Sequence, residues 1–293
     1  MANRESNVSA RRGAVCALRA LALSLGLVST AALAAPFFFS TGDPDGRIAT
    51  GSRPGGPGGL EIESADDFIL SQSTSITSAT FFGLMPSRAS VSQVRVEIYR
   101  VFPADSQSPP SGNVPTRTNS PSDVELVDRD SASANLNFST SILAASFTAA
   151  NSVLDGIFPI PKQNTGGDGS VTGEEVEFSV TFATPFLLGP DHYFFVPQVM
   201  LDSGNFFWLS APKPIVAPGT PFLPDLQSWI RNADLAPDWL RIGTDIVGGN
   251  PAPTFNAAFS LTGETLATVP EPGTLALLGW GLVAARVFRR RGQ

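Results

Sequence analysis

The chain has 293 residues, with 19 lysines and arginines against 26 aspartates and glutamates, one histidine and one cysteine. Four arginines and one glutamate fall in the first 34 residues and four arginines follow Gly273, so the stretch between carries eleven basic and twenty-five acidic residues, a net charge of −14. That surface repels nucleic acid and anionic lipid headgroups and argues against both as partners, while a single histidine and a cysteine at position 16 alone leave almost no material for a transition-metal centre or a cysteine nucleophile.

The N-terminus carries Arg11, Arg12 and Arg19, then an apolar run at 21–28, then the small-residue stretch Ser29-Thr30-Ala31-Ala32-Leu33-Ala34-Ala35. A positive region, a short apolar region and an Ala-x-Ala site form the layout of a secretory signal peptide spanning 1–34, the substrate of a signal peptidase. Ala32 and Ala34 supply the small side chains, and cleavage after Ala34 makes Ala35 the first mature residue. Cutting one residue later would put Pro36 beside the scissile bond. The apolar run is shorter than the ~20 residues of a membrane-spanning helix. Gly13-Ala14-Val15 after the arginine pair lacks the polar-then-aromatic pattern of twin-arginine export, which favours general secretion. Cys16 lies inside this segment with no apolar lipobox before it, so a lipid anchor is not expected and the mature chain forms no disulfide.

Residues 35–59, rich in Gly and Pro up to Gly55-Gly56-Pro57-Gly58-Gly59, read as a flexible leader. The domain is expected over 60–265. Val94, Val96 and Ile98 alternate with Arg95, Glu97 and Tyr99. Val176, Phe178, Val180 and Phe182 alternate with Glu177, Ser179 and Thr181, and Phe255, Ala257, Phe259 and Leu261 with Asn256, Ala258 and Ser260. This period of two places one strand face on a core and the other in water. Further strands are expected at 68–70, 76–84, 124–128, 138–147, 193–201, 205–210 and 240–246, separated by turn-forming clusters at 106–113 and 164–170. One short helix is expected at 225–231. The sum is an all-β chain, a β-sandwich with the jelly roll as one form, flanked by the signal peptide and a C-terminal hydrophobic helix. The roughly 235 residues between the two ends suit one large all-β domain.

Candidate chemistry is sparse. His192 follows a Gly-Pro-Asp turn and reads as a strand-start residue without a visible nucleophile or orienting acid. Asp66, Asp67, Glu174, Glu175 and Glu177 are the acids a glycoside hydrolase would need, although sandwich surfaces carry such acids as solvating groups. Asp43 and Asp45 on one glycine-bent loop and Asp168 on another are oxygen ligands for a structural Ca²⁺, and no other cofactor is expected. Trp208, Trp229 and Trp239 are the rings that would stack on sugars if exposed, and core or loop-packing residues otherwise.

The last segment, 266–293, reads Pro270-Glu271-Pro272 (motif 270–272), an apolar stretch over 274–288, and a basic end at 289–293, with Arg286, Arg289, Arg290 and Arg291 as its cations. The order of tripeptide, apolar segment and arginine cluster resembles the PEP-CTERM sorting signal of Gram-negative bacteria. Prolines on both sides of Glu271 keep the tripeptide extended. The apolar stretch spans a bilayer only marginally, and the arginines hold its end on the cytoplasmic side. The resemblance implies an exosortase as reader, recognition and cleavage at Pro270-Glu271-Pro272, a transient stay in the inner membrane, and a final place at the cell surface or in the matrix with exopolysaccharide. What the C-terminal segment resembles thus implies a non-enzymatic surface or matrix protein as the first expectation, with a carbohydrate-binding module and a polysaccharide-active enzyme behind it.

Overall fold

The computed structural model describes residues 34–56, 59–157 and 164–266. Ala32 of the signal, the motif residues Pro270, Glu271 and Pro272, the apolar segment and Arg286, Arg289, Arg290 and Arg291 lie outside the described residues. Strand outweighs helix by 51% to 4%, and the strands form two sheets, so the chain is an all-β sandwich.

In chain order the strands are β1 (Ala35–Ser40), β2 (Ala49–Gly51), β3 (Ile62–Leu70), β4 (Thr74–Met85), β5 (Val91–Arg100), β6 (Val127–Asp130), β7 (Leu136–Ala149), β8 (Ser152–Val153), β9 (Val171–Leu188), β10 (Asp191–Leu201), β11 (Phe207–Ala211), β12 (Trp229–Asn232), β13 (Leu240–Arg241), β14 (Asn256–Ala257) and β15 (Phe259–Thr265). In the nine-stranded sheet β4 pairs with β9 along its length, with β15 over its first part and with β11 at its end. β7 lies outside β9, β1 outside β15, and β2, β8 and β14 continue from β11. The second sheet runs β13-β12-β3-β10-β5-β6.

The inter-sheet core is aromatic. Phe81 of β4 stacks on Phe178 of β9 at 4.8 Å between ring centroids, and Phe259 of β15 stacks across the sandwich on Phe195 of β10 at 4.9 Å. Each fully buried Phe contributes about 1.5–3 kcal/mol relative to an exposed one. Gly83 of β4 is required by close approach, since a Cβ there would collide with the Phe206 ring.

Four expectations are corrected. Residues 35–59 are not a flexible leader. Phe37 and Phe39 alternate with Pro36 and Phe38 along β1, Phe39 enters the core, and Ile48 and Ala49 are buried. Thr41 Oγ1 donates to the Ala257 carbonyl at 2.6 Å. The domain thus starts at Ala34 and ends at Leu266. The expected helix at 225–231 is absent: Leu226 N–H donates to the Asp67 carboxylate and the Ser228 hydroxyl to Asp66, which holds this stretch extended into β12. The expected strand at 240–246 is the short β13 followed by a π-helical turn, Ile242–Val247. Finally, the second sheet does not expose a polar face to water. Val94, Val96 and Ile98 of β5 face the inter-sheet core, yet Glu97 and Tyr99 on the opposite face are equally buried. Leu226 and Trp239, from the chain on either side of β12, pack with Trp229 of β12 on that face, where a typical antiparallel sheet meets solvent.

Candidate functional site

Antiparallel pairing of β1 with β15 sets Ala35 opposite Thr265, with the Ala35 N–H donating to Thr265 Oγ1 at 3.2 Å. The chain therefore enters and leaves the domain at one point on the sheet edge. Ala34 and Ala35 are exposed there, and β1 begins at the residue a cut after Ala34 would free.

On the covered face of the second sheet, Glu63 of β3, Glu97 and Tyr99 of β5 and Arg231 of β12 converge. The register sets Arg231 opposite Glu63. Arg231 Nε and Nη2 both donate to the Glu63 carboxylate, Nη2 at 3.0 Å from Oε1, and Nη2 also reaches Tyr99 Oη at 2.8 Å. Tyr99 donates to Glu63 Oε1 at 2.5 Å, and Glu97 Oε2 lies 3.2 Å from the same hydroxyl. The Arg231 guanidinium also rests 4.4 Å from the centre of the Trp239 ring. Burial, then the neighbouring Glu63 charge, pushes the Glu97 carboxyl up to about 10 against the pull of Arg95, so it is neutral at pH 7. Burial and Glu63 likewise raise the Tyr99 hydroxyl; Arg231 is lowered by burial, but Glu63 overrides this and it is raised overall. At the rim Arg95 meets Glu97 at 2.8 Å, Glu125 at 3.0 Å and Asp128 at 3.4 Å. Arg117 bridges Asp123 and Asp238, both at 2.9 Å. The cluster ties β12 to β3 and β5 within the sheet, and Arg231 Nη1 reaches the covering chain by donating to the Asp123 carbonyl at 3.0 Å; losing one partner of such a buried pair typically costs about 3–5 kcal/mol.

The acids expected to pair for catalysis are kept apart. Alternation along β3 sends Asp66 and Asp67 to opposite faces. Asp66 accepts from Ser228 at 2.8 Å and from the Ala257 N–H at 2.9 Å, while Asp67 lies 2.6 Å from His192 Nε2 and accepts from the Leu226 N–H at 3.1 Å. Burial raises both carboxyls, Asp66 further through the charge of Asp67. Glu174, Glu175 and Glu177 lie on β9 in the other sheet, where Glu174 accepts from Ser87 and Glu177 from Ser179.

The sugar-stacking reading of the tryptophans is overturned, because Trp208, Trp229 and Trp239 are 1%, 1% and 0% exposed. Trp208 points into the inter-sheet core and donates to the Ala258 carbonyl; Trp239 lies under the covering segments and donates to the Ser122 carbonyl. Of the Ca²⁺ candidates, Asp43 is exposed, Asp45 accepts from the Arg47 N–H and the Ser210 hydroxyl, and Asp168 accepts from the N–H groups of Leu154 and Asp155. Among the described residues no three His, Cys, Asp or Glu side chains gather as a metal site, and no helix is long and apolar enough to cross a membrane. Sequence reading missed the Glu63, Glu97, Tyr99 and Arg231 cluster. Its one visible trace is the charge alternation of β5, which also fits a solvent face.

A family profile described as the PEP-CTERM protein-sorting motif matches residues 268–291, the stretch that holds Pro270-Glu271-Pro272 and the arginine cluster. The chain carries the address of an exported protein that an exosortase processes and that is sorted to the cell envelope. No curated protein and no solved structure matches the chain.

Proposed function

We propose that the chain is a non-enzymatic cell-surface protein, released from its inner-membrane stop by cleavage at Pro270-Glu271-Pro272 and retained outside the cell in contact with exopolysaccharide. The observation that carries this reading is the sorting motif at 268–291 behind one all-β domain. The net charge of −14 on the region between signal and tail keeps the domain soluble in a hydrated matrix. Its buried acids are spent on Ser228, Leu226, Ala257, His192 and Arg231, in keeping with a structural rather than a catalytic role. The test is fractionation of the protein from its host and from the same host unable to make exopolysaccharide. Retention with the cells is expected in the first and release to the medium in the second. Equal retention in both would refute the polysaccharide contact.

A further inference from the structure

Lys213, just after β11, is drawn inward by the loop it begins. Its side chain is 13% exposed, that of Asp225 is 11% exposed, and Asn256 on β14 is 1% exposed. β11 and β14 are paired, with Ala211 opposite Asn256, which fixes the base of the arrangement. Lys213 Nζ donates to Asp225 Oδ1 at 2.5 Å, to Asn256 Oδ1 at 2.9 Å and to the Leu226 carbonyl. The Asn256 amide nitrogen in turn donates to Asp225 Oδ2 at 3.3 Å and to the Pro212 carbonyl at 3.2 Å. One carboxylate thus straddles a buried amine and the carboxamide it faces.

We propose that Lys213 and Asn256 form an intramolecular amide cross-link, with Asp225 as the proton carrier. An ion pair alone would need Lys213 and Asp225 only; here the amine also contacts the oxygen of the very carbonyl it would attack, held by proximity in a largely desolvated site. The Lys213 ammonium gives a proton to Asp225, and the freed Nζ lone pair adds to Cγ of Asn256. Asp225 passes that proton to Nδ2, takes a second from Nζ and delivers it to Nδ2 as well, returning to a carboxylate. The Cγ–Nδ2 bond breaks as the carbonyl re-forms, and Nδ2, carrying both transferred protons, departs as ammonium. One Nζ–Cγ bond replaces one Cγ–Nδ2 bond, charge is conserved, and nothing is oxidised or reduced. The bond closes a loop between positions 43 residues apart, which holds the segment from Pro212 that covers the second sheet. In a mature chain without cysteine it supplies a covalent staple that needs no oxidant.

The experiment is digestion of the purified full-length protein under denaturing conditions, followed by mass spectrometry. The expected product joins the peptide containing Lys213 to the peptide containing Asn256 at their summed mass less one ammonia, about 17 Da. Lys213→Arg should return the two peptides separately, and Asn256→Asp should join them with loss of water, about 18 Da. Wild-type protein that yields both peptides separate and at full mass would overturn the proposal. So would a link from Lys213 to the Asp225 peptide with loss of water, since the carboxylate would then be the acceptor.

Discussion

Glu97 shows how much a single residue's surroundings change its meaning. By alternation it belongs to a solvent face, but the covering segments seal it beside Glu63 and its carboxyl is raised to about 10. The folded state therefore holds this proton more tightly than the unfolded chain. The stability it contributes is complete below the ordinary carboxylate range and is lost as pH rises toward 10, with a slope of at most about 1.4 kcal/mol per pH unit. Ordinary carboxylates have finished titrating by pH 6, so the wild type should lose stability between pH 6 and pH 9 through Glu97. Glu97→Gln should flatten that decline in urea unfolding measured across the range. Parallel curves for wild type and variant would contradict a neutral Glu97. This cluster was illegible in the sequence because Arg231 and Glu63 are 168 residues apart and only the register of β12 on β3 joins them.

At the scale of elements, strands announced by strict alternation in apolar runs were legible: β5 and β9 are where Val94 to Ile98 and Val176 to Phe182 place them. The alternation expected from Phe255 to Leu261 holds only from Phe259 onward in β15, because Asn256-Ala257 pairs with β11 as β14, with Asn256 and Ala258 both buried. Elements held by distant partners were not. The Gly and Pro content of 35–59 hides β1, whose pairing partner lies more than two hundred residues away on β15. Leu226 to Arg231 carries no helix breaker, yet two aspartates of β3 take its hydrogen bonds. β1 offers an internal control. Phe39 is 4% exposed and packs on Phe68, Phe222 and Phe259, whereas its neighbour Phe38 is 59% exposed. Phe39→Ala should cost about 3–5 kcal/mol in denaturant unfolding, and Phe38→Ala no more than about 0.5 kcal/mol. Two equally small effects would restore the flexible leader and remove β1 from the fold.

For the whole molecule, the C-terminal end was the most legible part, since a sorting tail is read by a protein that recognises a short local pattern, and local patterns survive in a single sequence. The domain's covered second sheet and sealed acids depend on long-range packing, which no short pattern encodes. The two kinds of information meet at the paired Ala35 and Thr265, where the residue that the expected signal cleavage would free and the last strand before the tail stand together. The most direct test of the account is mass spectrometry of the C-terminus of envelope-associated protein, taken from hosts with and without an exosortase. Protein ending at or near Pro270-Glu271-Pro272 in the first host and retaining Gln293 in the second is the predicted result; Gln293 retained in both would contradict it.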